Sequence, residues 1–209
     1  LRKELGTRLT WRHLRYELFP FSYNEFLKLY GKPGISSFEE YFTKGGFPEY
    51  LKVKRADILQ ELFNDIIMRD IAIRHKVRNL KTVREIALYL LTNVGKEFSY
   101  NNLKKMFNLG STNSVISFVS YFEDSYLLFS VPKFDYSLRK QLINPKKIYS
   151  IDNGLSSINS VSFSSDKGKM LENMVFINLR KRYKEIFYFQ EKKECDFVIK
   201  EGTKISKAI

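Results

Sequence analysis

The stretch from 82 to 151 constrains the fold of this chain more than any other. Val83, Ile86, Ala87, Leu90 and Leu91 recur at i, i+3, i+4, i+7 and i+8, the spacing of an amphipathic helix with one buried stripe, and Gly95 closes it. Ser99 is placed to cap a short second helix that holds Leu103, Met106 and Phe107 and stops at Gly110. Ser111 opens a third, with Val115, Phe118, Val119 and Phe122 on its inner face. After Asp124 the pattern turns extended: LLFSVPKFDYS, a basic stretch to Pro145, KKIYSI, and the turn Asp152-Asn153-Gly154. Three helices followed by a basic β-hairpin is the order of a winged helix, a helix-turn-helix variant.

The flanks read less sharply. Residues 1–13 suggest the end of a basic helix, and Leu14, Tyr16 and Leu18 alternate with Arg15 and Glu17 as a strand closed by Pro20. Ser22 can cap a helix, SFEEYF forms another that stops at Gly45-Gly46, and Pro48 suits the first turn of the next. Asp57 can open a long helix to about Val77, with Ile58, Leu62, Ile66 and Ile73 near one stripe and the i,i+4 pairs Asp65–Arg69 and Asp70–Arg74 on its surface. Residues 155–167, rich in Ser and Asn, read as a linker. A helix over 168–184 follows, then strands near 186–190 and 195–200 and the start of another at 204–209. The expected fold is mostly α with a smaller α/β part: residues 1–80, a winged helix at 81–155, and an α/β unit at 156–209. The chain starts inside an expected helix and stops inside an expected strand, so function is expected to rest partly on residues beyond it.

Composition narrows the chemistry. Apolar residues make up 44% and aromatics 15% of the 209 residues, which excludes a disordered chain. One cysteine and two histidines exclude a disulfide framework and leave little for a cysteine or histidine metal site. No apolar run approaches the roughly 20 residues of a membrane span and no signal peptide is visible, so no membrane insertion and a cytoplasmic location are expected. The formal net charge of +13 favours a polyanionic partner, nucleic acid first and an anionic membrane surface second.

On the winged helix, the outward face of the third helix offers Thr112, Asn113, Ser114, Ser117 and Tyr121, with no Lys or Arg. The charge lies beside it, at Lys104 and Lys105 on the preceding helix and Lys133, Arg139, Lys140, Lys146 and Lys147 in the wing. That distribution suits phosphate contact with weak sequence preference; the same residues also suit a protein-contacting winged helix with solvated lysines. In the last unit, Glu172 lies on an apolar helix stripe with Phe176, Leu179 and Tyr183, where a carboxylate needs a compensating partner. Asp196 lies in a strand beside Cys195, which reads as core. One helix acid and one strand acid can hold magnesium, as in nucleases of the PD-(D/E)xK fold. The acid-x-Lys such enzymes also need is missing, since Glu201-Gly202-Thr203 has no lysine, so these acids read as degenerate or as ion-pair partners of Arg180, Arg182 or Lys200.

Seven stretches, in order, carry a likeness to a known family: LRKELGTRLTWRHLRYELFPFSYNEFL, GGFPEYL, DIIMRDIAIRHKVRN, SYFEDSYLLF, NPKKIYSIDNGL, GKMLENMVFINLRKR and ECDFVIKEG. Together they resemble the C-terminal two-thirds of a family of prokaryotic P-loop ATPases, an AAA+-type core joined to a winged helix and a nuclease-like domain of unknown function. The resemblance implies that residues 1–80 are the end of the ATPase core and its helical lid, and that 156–209 is part of the nuclease-like domain. It implies ATP and Mg2+ as ligands of the full-length protein and a catalytically silent fragment here, because the phosphate-binding loop precedes Leu1. Arg8 and Arg12 match the position of an arginine finger, while also suiting the basic surface of a helix. Gly46-Phe47-Pro48 resembles a motif whose proline packs on adenine, and its residues are equally a helix stop and a helix start. A homo-oligomer is possible on this reading. The expected function is the output region of an ATP-hydrolysing switch with weakly specific DNA binding; the alternatives are a winged-helix DNA-binding regulator without ATPase activity and a magnesium-dependent nuclease.

Overall fold

The computed structural model describes residues 16–160 and 166–209. Its fold is mostly helical with a smaller α/β part. Local sequence sets the first helices. Ser22 caps α1 (Tyr23–Tyr30) through a capping box: its backbone N–H donates to Glu25 Oε2 at 2.8 Å while its own hydroxyl accepts from the Glu25 N–H. Helix α2 (Ile35–Lys44) stops at Gly45, whose φ of 76° is the left-handed geometry that favours glycine. Pro48 starts α3 (Pro48–Val53).

The expected long helix is present but not uniform. It runs as α4 (Ala56–Asp65) and then widens into a π-helix over Ile66–Ile73. The expected stripe is displaced by one residue: Leu59, Phe63, Ile67 and Ile71 are buried and recur every four residues, while Ile58, Leu62 and Ile66 are half-buried and Ile73 is exposed. A strict four-residue repeat drifts around an α-helix, whose turn takes about 3.6 residues, and the wider i→i+5 turn drifts back the other way. The mixed helix keeps all four side chains over one core.

The expected order of three helices followed by two antiparallel strands is present, with a short extra strand after the first helix. Helix α5 (Leu80–Thr92), β1 (Glu97–Phe98), α6 (Tyr100–Met106), α7 (Thr112–Asp124), β2 (Leu128–Pro132) and β3 (Lys146–Ser150) follow one another. The strands form an antiparallel sheet in the order β1-β3-β2, with Leu128 opposite Ser150 and Pro132 opposite Lys146. Asn79, Ser99 and Ser111 cap the three helices. The wing departs from a plain hairpin, because its tip folds into a short helix, α8 (Leu138–Ile143).

Two other expectations are corrected. Residues 16–19 form no strand: Tyr16 and Leu18 are exposed, while Glu17 is drawn inward by Arg180 and Tyr126. The first part of the expected linker, residues 155–159, belongs to a helix, α9 (Asn153–Asn159), with Leu155 fully buried. Its Ser and Asn side chains bond to nearby main chain, as Asn159 Nδ2 does to Leu155 O at 2.9 Å, so the polar sequence does not prevent burial. Helix α10 (Lys167–Arg180) and the antiparallel meander β4 (Ile186–Gln190), β5 (Glu194–Glu201) and β6 (Lys204–Ala208) complete the chain. Cys195 is half-buried rather than core, at the edge where its thiol meets Ile209 O.

One hydrophobic cluster runs through all three expected units, from Leu59 and Phe63 through α5 to Phe176, Phe197 and Ile199. At its C-terminal end Tyr149 of β3 stacks on Phe176 of α10, ring centroids 4.4 Å apart and 15° from parallel. The two sheets also meet where Phe134 N–H donates to Tyr188 O at 2.7 Å. Among the described residues no helix is long and apolar enough to cross a membrane.

Candidate functional site

Five buried polar residues, Ser150, Asp152, Asn153, Ser156 and Asn173, form one knot between the helical region, the winged helix and α10. Asp152 follows β3 and caps α9, its Oδ1 accepting from the Leu155 N–H at 3.0 Å. Its Oδ2 accepts from the Gly46 N–H at 2.7 Å. Asn153 donates to Phe42 O at 3.1 Å and Met170 O at 3.0 Å, and Asn173 joins Asn153 Oδ1 to the Ser150 N–H. Burial raises the Asp152 carboxyl to about 6, against the opposing effect of the backbone N–H groups that donate to it. Space around the knot is tight: a Cβ on Gly45 would overlap the Asp152 carboxylate, and one on Gly46 the Phe21 carbonyl. The sequence marked the 152–154 turn but not its burial; for Asn173 the available signal was its place three and four residues before Phe176 and Ile177.

The knot fixes the Gly45-Gly46-Phe47-Pro48 corner beside an open apolar cleft. The cleft measures about 270 Å³, and its lining includes Phe19, Phe47, Pro48, Ile66, Tyr126 and Ile151. Its walls come from different elements: the segment before α1, the start of α3, the first residue of the π-helix, the turn before β2 and the residue after β3. Gly46 is buried and serves through its N–H; Pro48 is half-buried and lines the cleft.

The two acids singled out in the last unit are brought together by a lysine. Lys147 Nζ lies 3.0 Å from Glu172 Oε1 and 2.8 Å from Asp196 Oδ1. Tyr149, two residues on and so on the same face of β3, donates to Glu172 Oε1 at 2.7 Å, and Lys169 Nζ sits 2.9 Å from Oε2. Burial alone would lower the Lys147 pKa, but the Asp196 and Glu172 carboxylates overcome it and hold the ammonium above its usual range. Arg180, offered as a partner for these acids, instead grips Glu17 at 3.0 Å, and Lys200 pairs with Glu185 at 3.1 Å. Among the described residues no group of three or more His, Cys, Asp or Glu could hold a metal ion.

The basic set of the winged helix divides. Lys105 and Arg139 are exposed, Lys104 and Lys133 half-buried, and Lys140 on α8 is exposed and lies 3.5 Å from the half-buried Asp135. Lys146 is turned inward over the Tyr100 ring, with its amine donating to Gln141 O, and burial lowers its pKa. Lys147 is spent on carboxylates. On α7, Asn113 is exposed, Ser117 half-buried, and Thr112 donates to Asn101 Oδ1 at 3.0 Å. Arg8 and Arg12 lie outside the described residues.

Residues 35–163 match a protein family described as Domain of unknown function (DUF8612). An uncharacterized protein of Methanocaldococcus jannaschii is 34% identical over 95% of this chain and 50% of its own length. An uncharacterized protein of Haemophilus influenzae is 27% identical over 97% of this chain and 54% of its own. The chain thus spans about half the length of these curated relatives. No solved structure gives a significant match.

Proposed function

The chain belongs to this family of unknown function, and we propose that it is the output half of a cytoplasmic, nucleotide-dependent switch that holds nucleic acid through its winged helix. The observation that carries the reading is the apolar cleft at Phe47-Pro48, walled by both the helical region and the winged helix. A planar adenine suits such a surface, with its phosphates directed to a loop on the remaining half of the longer protein. A base held there would contact Pro48, Ile66 and Tyr126 at once, so nucleotide occupancy would bias how the helical region sits against the winged helix. The Asp152 bond to Gly46 makes that corner a fixed reference rather than a free loop.

Nucleic acid would be met by Lys104, Lys105, Lys133 and Arg139, with Thr112, Asn113 and Ser117 supplying neutral contacts, an arrangement suited to phosphate and not to strong base readout. The geometry gives less support to a magnesium-dependent nuclease, since the Lys147 ammonium already occupies the position between Glu172 and Asp196 and pairs with both.

The test is titration of the full-length protein with a fluorescent ATP analogue. Ile66→Trp, which fills the cleft from a half-buried position, is expected to weaken binding by at least about tenfold, or 1.4 kcal/mol. Undiminished affinity in that variant removes the cleft from the mechanism, and no nucleotide binding by the wild type leaves the plain winged-helix regulator.

A further inference from the structure

The wing tip presents an apolar ridge unlike the rest of the basic surface. Tyr136 is 93% exposed, Leu138 68%, Leu142 63% and Ile143 70%. Leu138 and Leu142 stand one turn apart on α8 with Ile143 beside them, and Tyr136 leans edge-on against Phe134 at 5.3 Å. The same six-residue helix, LRKQLI, carries Arg139 and Lys140 and no acid. Asp135, at its entrance, is used to hold the Ser137 N–H at 2.8 Å and Lys140 at 3.5 Å.

We propose that this ridge is a wedge for double-stranded DNA: Leu142 and Ile143 enter a base step from the minor groove while Arg139 and Lys140 hold the flanking phosphates, unstacking the step and bending the duplex. The inference rests on the nucleic-acid part of the function proposed above and names its binding mode. Apolar side chains flanked by cations are what minor-groove architectural proteins insert between bases, offsetting the cost of unstacking with added contacts. The occupant follows from charge and size. A second copy of this chain would bring Arg139 and Lys140 against themselves. A bilayer suits a much longer helix than one of about 9 Å. A stable protein partner needs roughly 20–30 residues a side, where the ridge offers a handful. Flexible pyrimidine–purine steps are the favoured target, because they unstack at least cost.

The experiment uses the full-length protein and a duplex carrying 2-aminopurine at a central TA step with a donor–acceptor pair at its ends. Wild type is expected to raise 2-aminopurine fluorescence and shorten the end-to-end distance. The double variant Leu142→Ser, Ile143→Ser, at exposed positions that the fold does not need, is expected to keep salt-sensitive binding within about tenfold and lose both signals. Binding without unstacking or bending in the wild type, or signals that survive in the variant, overturns the wedge and leaves nucleic-acid binding standing. No duplex binding at any salt overturns both. Capture on phosphatidylserine vesicles, lost in the variant and unaccompanied by unstacking, overturns the wedge in favour of a membrane surface.

Discussion

The Gly46 backbone N–H donates to Asp152 Oδ2 at 2.7 Å, joining positions 106 residues apart. The bond places the end of β3 and the corner before α3 in one rigid unit, and the apolar cleft lies against that unit.

Asp152 should show in the pH dependence of stability. Its folded pKa of about 6 lies above the ordinary carboxylate value of 3.8, so between those values the folded state binds more protons than the unfolded one. Its contribution is therefore fully present below the lower value and is lost as pH rises through about 6. In urea unfolding, wild type is expected to gain on the order of 2 kcal/mol of stability relative to Asp152→Asn as pH falls from 7 to 4. A constant difference would show that the carboxyl titrates normally.

Gly46→Ala forces a methyl group into the Phe21 carbonyl. Backbone cannot move aside as a flexible side chain can, so the cost is expected to be about 1–3 kcal/mol. The denaturant midpoint should fall while the slope of the transition stays unchanged.

Lys147→Met keeps the length of the side chain but leaves Glu172 and Asp196 with one cation fewer. Because Glu172 is only 9% exposed, the loss is expected to be about 1–3 kcal/mol, softened by Lys169 and Tyr149. Millimolar Mg2+ should leave the wild-type Tm where it is. A rise of several degrees would mean that the acids take metal in preference to the lysine.

Phosphate contact is expected to follow exposure and not lysine count. Lys105→Ala should lower the slope of log K against log salt by about 0.9. Lys146→Ala, which removes an amine turned toward Tyr100 and Gln141 O, should change that slope little. Equal effects from the two variants, measured by anisotropy across a salt series, would show that Lys146 swings outward when nucleic acid binds.

How much of this was legible beforehand differs by residue type. The caps at Ser22, Ser99 and Ser111 and the α5 stripe from Val83 to Leu91 were readable, because a cap acts within three residues and a stripe within two turns. The π-helix was not readable, since a repeat of four at Leu59, Phe63, Ile67 and Ile71 looks like an ordinary helix until the core beneath it sets the line. The Ser- and Asn-rich stretch after Gly154 misled, because composition reports how polar a residue is and not whether partners for it exist nearby.

The sequence by itself determined the capped helices from Ser22 to Asp124, the winged-helix order of helices and strands and the excess of positive charge, all of which follow from short-range spacing and counting. Tertiary structure decided what the charges are for. Lys147 and Lys105 are the same residue type in equally basic stretches, yet one pairs with Glu172 and Asp196 and the other faces solvent. Gly46 and Asp152, each readable locally as a helix stop and a turn, become one hydrogen-bonded joint. The physical reason is that electrostatic and hydrogen-bond energies depend on separation in space and on the water left between the groups, and for pairs so distant along the chain only the packed core sets either one.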